Sequence, residues 1–305
     1  MKKATKRKIK IDVFSVVLHI FLILLCICFV VPLMLVISAS FTSEAWLSSG
    51  GAIKLIPQDF TFDAYKSALA NGEKIIRAYV VTFSQAVIGT VLAGIVGGMV
   101  GYPISRSNFR FKKIITGFVL LTMFFNAGMI PTYLVYSRMY SISNTYWVYI
   151  LPGITGGAWN TMVYRTFFKG IPGSLFESAN LDGAKELTVF LKIVVPLSKP
   201  VFASLGFMTL VTKWNNYATS MIYIRNEKLY TLQYFLQRII EEANFLKNLS
   251  SSGVNTGIIS IDQMHMPSES LRFALCVLAA GPMLVAFPFF QKYFAKGLTI
   301  GAVKG

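Results

Sequence analysis

Residues 177–200 read ESANLDGAKELTVFLKIVVPLSKP and form a charged segment inside a very apolar chain. Small residues precede Asp182-Gly183, and apolar residues alternate with lysines after it. Glycine tolerates the dihedral angles of a turn or a helix C-terminus, so this dipeptide predicts a bend. The sequence therefore predicts two short helices with a glycine elbow, exposed to water between apolar segments and available to another molecule.

The composition is that of a membrane protein. Of 305 residues, 54% are hydrophobic and only 14% are charged, with a mean hydropathy of +0.59. A soluble domain carries about 25% charged residues. The net charge of +16 does not indicate a nucleic-acid partner, because the basic residues fall at the ends of apolar runs, where they orient spans in a bilayer.

Six apolar runs are each long enough for a helix that crosses a bilayer, which needs about 20 residues. The runs are 13–43, 79–105, 114–137, 146–164, 200–224 and 273–291. With six spans, roughly twice as many Lys and Arg lie on the side of the termini as on the other side, so both termini are predicted to be cytoplasmic. The predicted fold is an all-α polytopic membrane protein with six transmembrane helices.

Three regions follow from this topology. Residues 1–12 form a basic cytoplasmic tail, 13–296 the transmembrane domain with a cytoplasmic loop at 170–196, and 297–305 a cytoplasmic C-terminal tail. The first apolar run is too long for a signal peptide, whose apolar core has about 7–15 residues. Short external helices are expected near 62–70 and 230–246, where the spacing is helical.

The sequence favours a protein that is not an enzyme. It has no G-x-x-x-x-G-K-[ST] phosphate loop and no H-E-x-x-H motif, and its histidines, His19 and His265, are far apart in sequence. All three cysteines lie inside apolar runs, where they are expected to act as small apolar residues. No catalytic residue, metal site or bound cofactor is predicted.

Polar side chains within spans are costly and mark candidate functional positions. A cluster in the fifth run contains Lys213, Trp214, Asn215 and Asn216, and further amides are Asn126 and Asn160. Amides and aromatic rings suit a sugar, whose hydroxyls need hydrogen-bond partners and whose C–H faces stack on rings. The alternative is that these groups hydrogen-bond between helices.

The charged segment resembles the coupling loop of type I ABC importer permeases, whose pattern is E-A-A, then D-G-A, an aromatic residue and a closing L/V-P. The matching positions are Glu177, Ala179, Asp182, Gly183, Ala184, Phe190 and Pro196, with Ser178 in place of the middle alanine. The resemblance implies the type I permease fold. It also implies that the Glu177–Gly183 loop docks on a separate ATPase, which binds the ATP and Mg.

The resemblance extends over nearly the whole chain. FNAGMIPTY (125–133), KWNNYATSMIYI (213–224) and GLTIGAVKG (297–305) look like the carbohydrate-uptake branch, in its group of complex-oligosaccharide permeases, as the second permease subunit. Members of this branch usually have an acidic or small polar residue after Trp-Asn, where Asn216 stands. Their tail reaches the ATPase, which here would involve Gly301, Val303 and Gly305.

This resemblance implies an assembly in the plasma membrane of a bacterium. Its parts would be a second homologous permease, an ATPase dimer and an extracellular solute-binding lipoprotein, with an oligosaccharide as the substrate. Import of another polar solute is an alternative, because the sequence does not identify the substrate. An ion-coupled secondary transporter is a further alternative, although the predicted spans contain no Asp or Glu.

Overall fold

The computed structural model describes residues 13–70, 72–251 and 269–297. Within these residues the chain is helical and contains no β-strand. They form two compact units. The first contains residues 13–70 and 269–278, and the second contains 72–251 and 279–297.

Three helices are long and apolar enough to cross a membrane, and they cover the first, second and sixth predicted spans. They are α1 (Val13–Ser40), α4 (Gly72–Ser105) and α14 (Glu269–Gly297). At about 1.5 Å per residue, the 28 residues of α1 extend about 42 Å, which exceeds the hydrocarbon core of about 30 Å.

The third predicted span is sharply bent. Helix α5 (Lys112–Phe124) is followed by α6 (Met129–Leu134), which continues into a π-helical turn at Val135–Met139. The two halves meet at 114°, and Gly128 between them has a φ of 83°. A left-handed residue breaks the helical ladder here, so the segment is either a broken span or a re-entrant loop.

The fourth and fifth predicted spans are interrupted too. Two 3-10 turns, Tyr146–Tyr149 and Leu151–Gly153, precede α7 (Gly157–Lys169). Helix α11 (Lys199–Trp214) ends before α12 (Ala218–Tyr223). The described residues contain three candidate spans, or five with each of the two bent pairs counted as one span, and the predicted number of six is not confirmed.

The loop at 170–196 folds as predicted into short helices. They are α8 (Gly173–Leu181), α9 (Glu186–Val189) and α10 (Val195–Leu197), with a π-helical turn at Phe190–Val194 between the last two. The chain turns by 80° between the helical segments Glu186–Leu197 and Lys199–Trp214. We call residues 173–197 the coupling segment.

Helix α4 is the centre of the second unit and packs against α7 and α11. Its glycines permit a close approach to both helices. A Cβ on Gly101 would lie 2.8 Å from Tyr164 Cβ, and one on Gly98 would lie 2.8 Å from Phe202 Cζ. Small residues that let helices approach closely are typical of packing in lipid.

Helices occur near 62–70 and 230–246, where the spacing predicted them. Helices α2 (Glu44–Ser48) and α3 (Asp63–Ala70) follow α1, a 3-10 turn lies at Glu227–Leu229, and α13 is Leu232–Ser251. In the first unit, the Glu44 carboxylate accepts hydrogen bonds from the backbone N–H groups of Glu269 and Ser270, at 3.0 and 2.9 Å. This carboxylate therefore caps the first turn of α14.

Candidate coupling and substrate-path sites

The elbow of the coupling segment is formed by Gly183. Its φ is 70°, its N–H donates to Asn180 O at 3.0 Å, and the N–H of Ala184 donates to Ala179 O at 2.9 Å. An L-residue pays about 1–2 kcal/mol in this left-handed conformation, and glycine does not. The bend predicted at Asp182-Gly183 is therefore present, with Asp182 ending α8.

The predicted coupling residues divide into exposed and buried members. Exposed members are Glu177, Ser178, Asp182, Gly183 and Pro196; Ala179 and Phe190 are buried, and Ala184 is partly buried. Leu181, beside the elbow, is 89% exposed. The segment thus exposes a carboxylate-rich turn with one apolar side chain. Its buried members, Ala179 and Phe190, pack against the rest of the protein.

Helix α4 anchors both arms of the coupling segment. The Tyr102 hydroxyl donates to the Glu186 carboxylate, and its ring lies 5.4 Å from the ring of Phe190. One turn later, Arg106 Cζ lies 3.8 Å from the ring centroid of Phe176 on α8. A cation over an aromatic face is attractive, so both arms are tied to the last turns of α4.

Sequence reasoning missed this anchor. Tyr102 and Glu186 are 84 residues apart, and neither belongs to the motif. The available signal was the pair Tyr102 and Arg106, spaced four apart where an apolar run meets a basic loop. A cavity of about 440 Å³ adjoins the anchor, lined by Met99, Tyr102, Pro103, Arg106, Asn108, Phe109, Asn180, Glu186, Leu187 and Phe190.

The polar stretch Lys213–Asn216 does not act as one surface. Trp214 is 1% exposed, its Nε1–H donates to Ala279 O at 3.0 Å, and its ring lies 6.4 Å from that of Tyr79. The Trp214 ring thus has the interhelical role that was the alternative to sugar binding. The Asn215 and Asn216 side chains are exposed, and Asn216 Oδ1 accepts the N–H of Thr219 at 3.0 Å.

Lys213 lies in a notch between two glycines. Its Nζ donates to Tyr149 O at 3.1 Å. A Cβ on Gly89 would lie 2.7 Å from Nζ, and one on Gly153 would lie 3.1 Å from it. The Lys213 carbonyl accepts from Gln85 Nε2 at 2.9 Å, which links α11 to α4.

The other two predicted amides have different environments. Asn126 is exposed in the break between α5 and α6, where its Oδ1 accepts the N–H of Gly128 at 2.9 Å. Asn160 Nδ2 donates to Thr209 Oγ1 at 3.2 Å, which joins α7 to α11. Tyr217, which the sequence reasoning did not select, exposes 43% of its surface directly after the polar stretch.

Two further predictions concern residues outside these groups. The tail residues Gly301, Val303 and Gly305 lie outside the described residues. In the described part of the chain, no group of three His, Cys, Asp or Glu side chains is placed to hold a metal ion. Cys26, Cys28 and Cys276 are free thiols.

A family model of the inner membrane component of binding-protein-dependent transport systems matches residues 89–300. The chain belongs to this family. One relative of this chain is the polygalacturonan/rhamnogalacturonan transport system permease protein YtcP of Bacillus subtilis (strain 168). This chain is 34% identical to YtcP over 293 residues, which cover 96% of this chain and 98% of YtcP.

Other relatives are also sugar permeases. The arabinooligosaccharides permease AraQ of Bacillus subtilis (strain 168) is 28% identical over 300 residues, covering 96% of this chain and 97% of AraQ. A solved bacterial ABC transporter that imports the acidic polysaccharide alginate matches with a TM-score of 0.77 and 27% identity. That match covers 96% of this chain and 100% of the solved chain.

These findings confirm the family, the type I permease fold and the class of function. The chain is a non-catalytic permease component of an ABC importer for sugars or oligosaccharides in a bacterial cell membrane. Partner subunits hydrolyse ATP, and a substrate-binding protein is part of such a system.

Proposed function

We propose that this chain is one of two homologous permease subunits in an oligosaccharide importer, with six spans and both termini in the cytoplasm. An ATPase dimer binds the coupling segment from the cytoplasm, and an extracellular binding lipoprotein delivers the sugar. The observation that carries the proposal is the exposed elbow around Gly183, anchored to α4 by Tyr102 and Arg106.

The anchor gives the coupling segment a route to the spans. When the ATPase moves the segment, the movement reaches one end of α4 through two contacts. They are the hydrogen bond between Tyr102 and Glu186 and the contact between Arg106 and Phe176. Helix α4 in turn packs closely on α7 and α11 through its glycines. Packed helices shift as rigid elements, so a displacement of the segment reaches the residues around the polar stretch.

The sugar path on this chain is proposed to use exposed polar groups. Asn215, Asn216 and Asn126 offer amides, and the exposed Tyr217 ring offers the stacking face. Trp214 and Asn160 contribute by holding their helices in place. The tail residues Gly301, Val303 and Gly305 are proposed to contact the ATPase dimer, on the family resemblance alone.

Substitution of Glu177 tests the docking. Glu177→Ala removes an exposed carboxylate from the elbow and is expected to abolish uptake, or to lose the ATPase from the purified complex, while the protein stays inserted. Glu241→Ala is the matched control, because Glu241 is an exposed acid on α13 outside the coupling segment. Wild-type uptake and normal ATPase recovery in Glu177→Ala would contradict the docking.

Two other proposals have separate tests. Single cysteines placed after residue 297 and in the 141–145 loop should react with membrane-impermeant reagents from opposite sides if the topology is right.

The energy source and substrate competition distinguish ATP-driven oligosaccharide import from the two alternatives, which are import of another polar solute and import coupled to an ion. Uptake should stop when ATP is depleted, persist when the proton gradient is collapsed, and be competed by oligosaccharides.

A further inference from the structure

The Lys213 amine is held at a defined position near the end of α11. Its Nζ is 3.1 Å from Tyr149 O, and the absence of side chains at Gly89 and Gly153 leaves the room it occupies. A long flexible side chain is thereby fixed between α4, α11 and the 3-10 turns. Such placement distinguishes Lys213 from a lysine that extends to the membrane surface.

The ammonium has hydrogen-bonding capacity that these contacts do not use. A lysine ammonium has three N–H donors, and Tyr149 O takes one. Among the described residues, no carboxylate lies within ion-pair distance of Lys213 Nζ, since the ion pairs there involve other cations. A charge inside a span is costly and usually marks a substrate or ion pathway.

Part of the Lys213 surface is open in this chain. Lys213 is partly exposed, and Leu151 and Pro152, which directly precede Gly153, are exposed. The exposed amides of Asn215 and Asn216 follow directly in the sequence. One cation and two amides therefore lie within a few residues of each other at the end of α11.

The electrostatics of this region favour an anion. The predicted spans contain no Asp or Glu, and the neutral Asn216 stands after Trp-Asn, where a carboxylate would repel an anionic solute. The YtcP relative is named for polygalacturonan, a polymer of a sugar acid, and the alginate importer for an acidic polysaccharide. A lysine in a region of low dielectric would stabilise the carboxylate of such a substrate.

We propose that Lys213 is the counter-charge for the carboxylates of uronic-acid oligosaccharides, and that it makes this importer selective for acidic sugars. The proposal rests on the proposed function and adds the chemical class of the substrate. As each sugar residue passes the end of α11, its carboxylate accepts hydrogen bonds from Nζ. The bond from Nζ to Tyr149 O keeps the amine in place between substrate residues.

The test uses the importer purified with its own partner subunits through a tag on this chain, reconstituted in proteoliposomes with its binding protein. Uptake of trigalacturonate is compared with uptake of its methyl ester, which has the same backbone without charge. The wild type should prefer the free acid by about tenfold or more, the size of effect expected for a charge-assisted hydrogen bond. Lys213→Met should remove about tenfold of that preference while ester uptake persists.

Controls separate the permease from its surroundings. The binding protein is the same in every assay, so a changed ratio between the two substrates reports on this chain. Lys228→Met removes an exposed lysine outside the path and should leave the ratio unchanged. If Lys213→Met does not fold, Asn216→Asp serves instead, because this exposed position should accept a carboxylate and lower the uptake of the acid relative to the ester.

Several outcomes would overturn the proposal. Equal uptake of acid and ester by the wild type would do so, as would an unchanged ratio in Lys213→Met, or in Asn216→Asp where it replaces that variant. Import of neutral oligosaccharides but of neither uronate would overturn the role of Lys213 and leave the proposed function standing. An assembly that hydrolyses ATP but imports no sugar at all would contradict the proposed function itself.

Discussion

The coupling segment and the polar stretch Lys213–Asn216 present their side chains in opposite ways. The consecutive residues Leu181 and Asp182, directly before Gly183, are both exposed, because the chain bends outward at this left-handed turn. At the end of α11, neighbours diverge by about 100° per residue. Trp214 is buried while Asn215 is exposed. The turn thus exposes adjacent residues together, whereas the helix end places adjacent residues on different faces.

The largest effect should come from the buried face of the polar stretch. Trp214→Ala leaves a cavity and removes the hydrogen bond to Ala279 O, and large aromatic deletions of this kind cost about 3–5 kcal/mol. We expect a strong loss of thermal stability, measured by fluorescence-detected size exclusion after heating. Trp214→Phe should lose less thermal stability than Trp214→Ala. A stable Trp214→Ala protein with an altered sugar preference would show that the stretch faces the path as a block.

The next effect concerns the turn itself. Gly183→Pro cannot adopt a φ of 70°, so the elbow must rearrange. We expect membrane insertion to persist and uptake to fall to background in a transport assay. Gly173→Ala is the control, because Gly173 is exposed in the same segment and a Cβ there has open space. Equal losses in both variants would contradict a special role for the elbow.

A smaller effect is expected where the two regions are linked. Tyr102→Phe keeps the ring against Phe190 and removes the hydrogen bond to the Glu186 carboxylate, worth about 1.5–3 kcal/mol for a charged partner. The number of sugars imported per ATP should fall by about tenfold. Glu186→Gln, which retains an acceptor for the hydroxyl, should lose less. If Tyr102→Phe imports as many sugars per ATP as the wild type, the apolar contacts alone transmit the movement of the coupling segment to α4.

The smallest effect belongs to the exposed face of the polar stretch. Asn215→Ala removes one amide, and losing about 1 kcal/mol of substrate hydrogen bonding corresponds to about fivefold slower uptake. Asn244→Ala, an exposed amide on α13, is the control for nonspecific effects. Initial uptake rates at subsaturating sugar measure the difference. Equal rates in the two variants would place the sugar path away from the end of α11.

The features that the sequence predicted are mainly local ones. The elbow depends on Gly183, which the sequence marked as a bend together with Asp182. Helix α1 corresponds to an uninterrupted apolar run. In each case the responsible residues are neighbours in sequence, so propensity and periodicity are sufficient.

The features that it did not predict depend on distant partners. The buried Trp214 indole donates a hydrogen bond to Ala279 O, which lies 65 residues later in the sequence. Tyr102 donates to Glu186, which lies 84 residues later. The third predicted span bends by 114° around Gly128, an angle that the sequence of the run does not specify. A single sequence carries no direct signal for such contacts.

The Glu44 carboxylate also sets an order of events during synthesis. Its partners, the N–H groups of Glu269 and Ser270, leave the ribosome 225 and 226 residues after it. Until the chain has reached residue 270, the Glu44 carboxylate cannot make these two hydrogen bonds and must remain hydrated. Closure of this contact therefore reports that translation has passed residue 270.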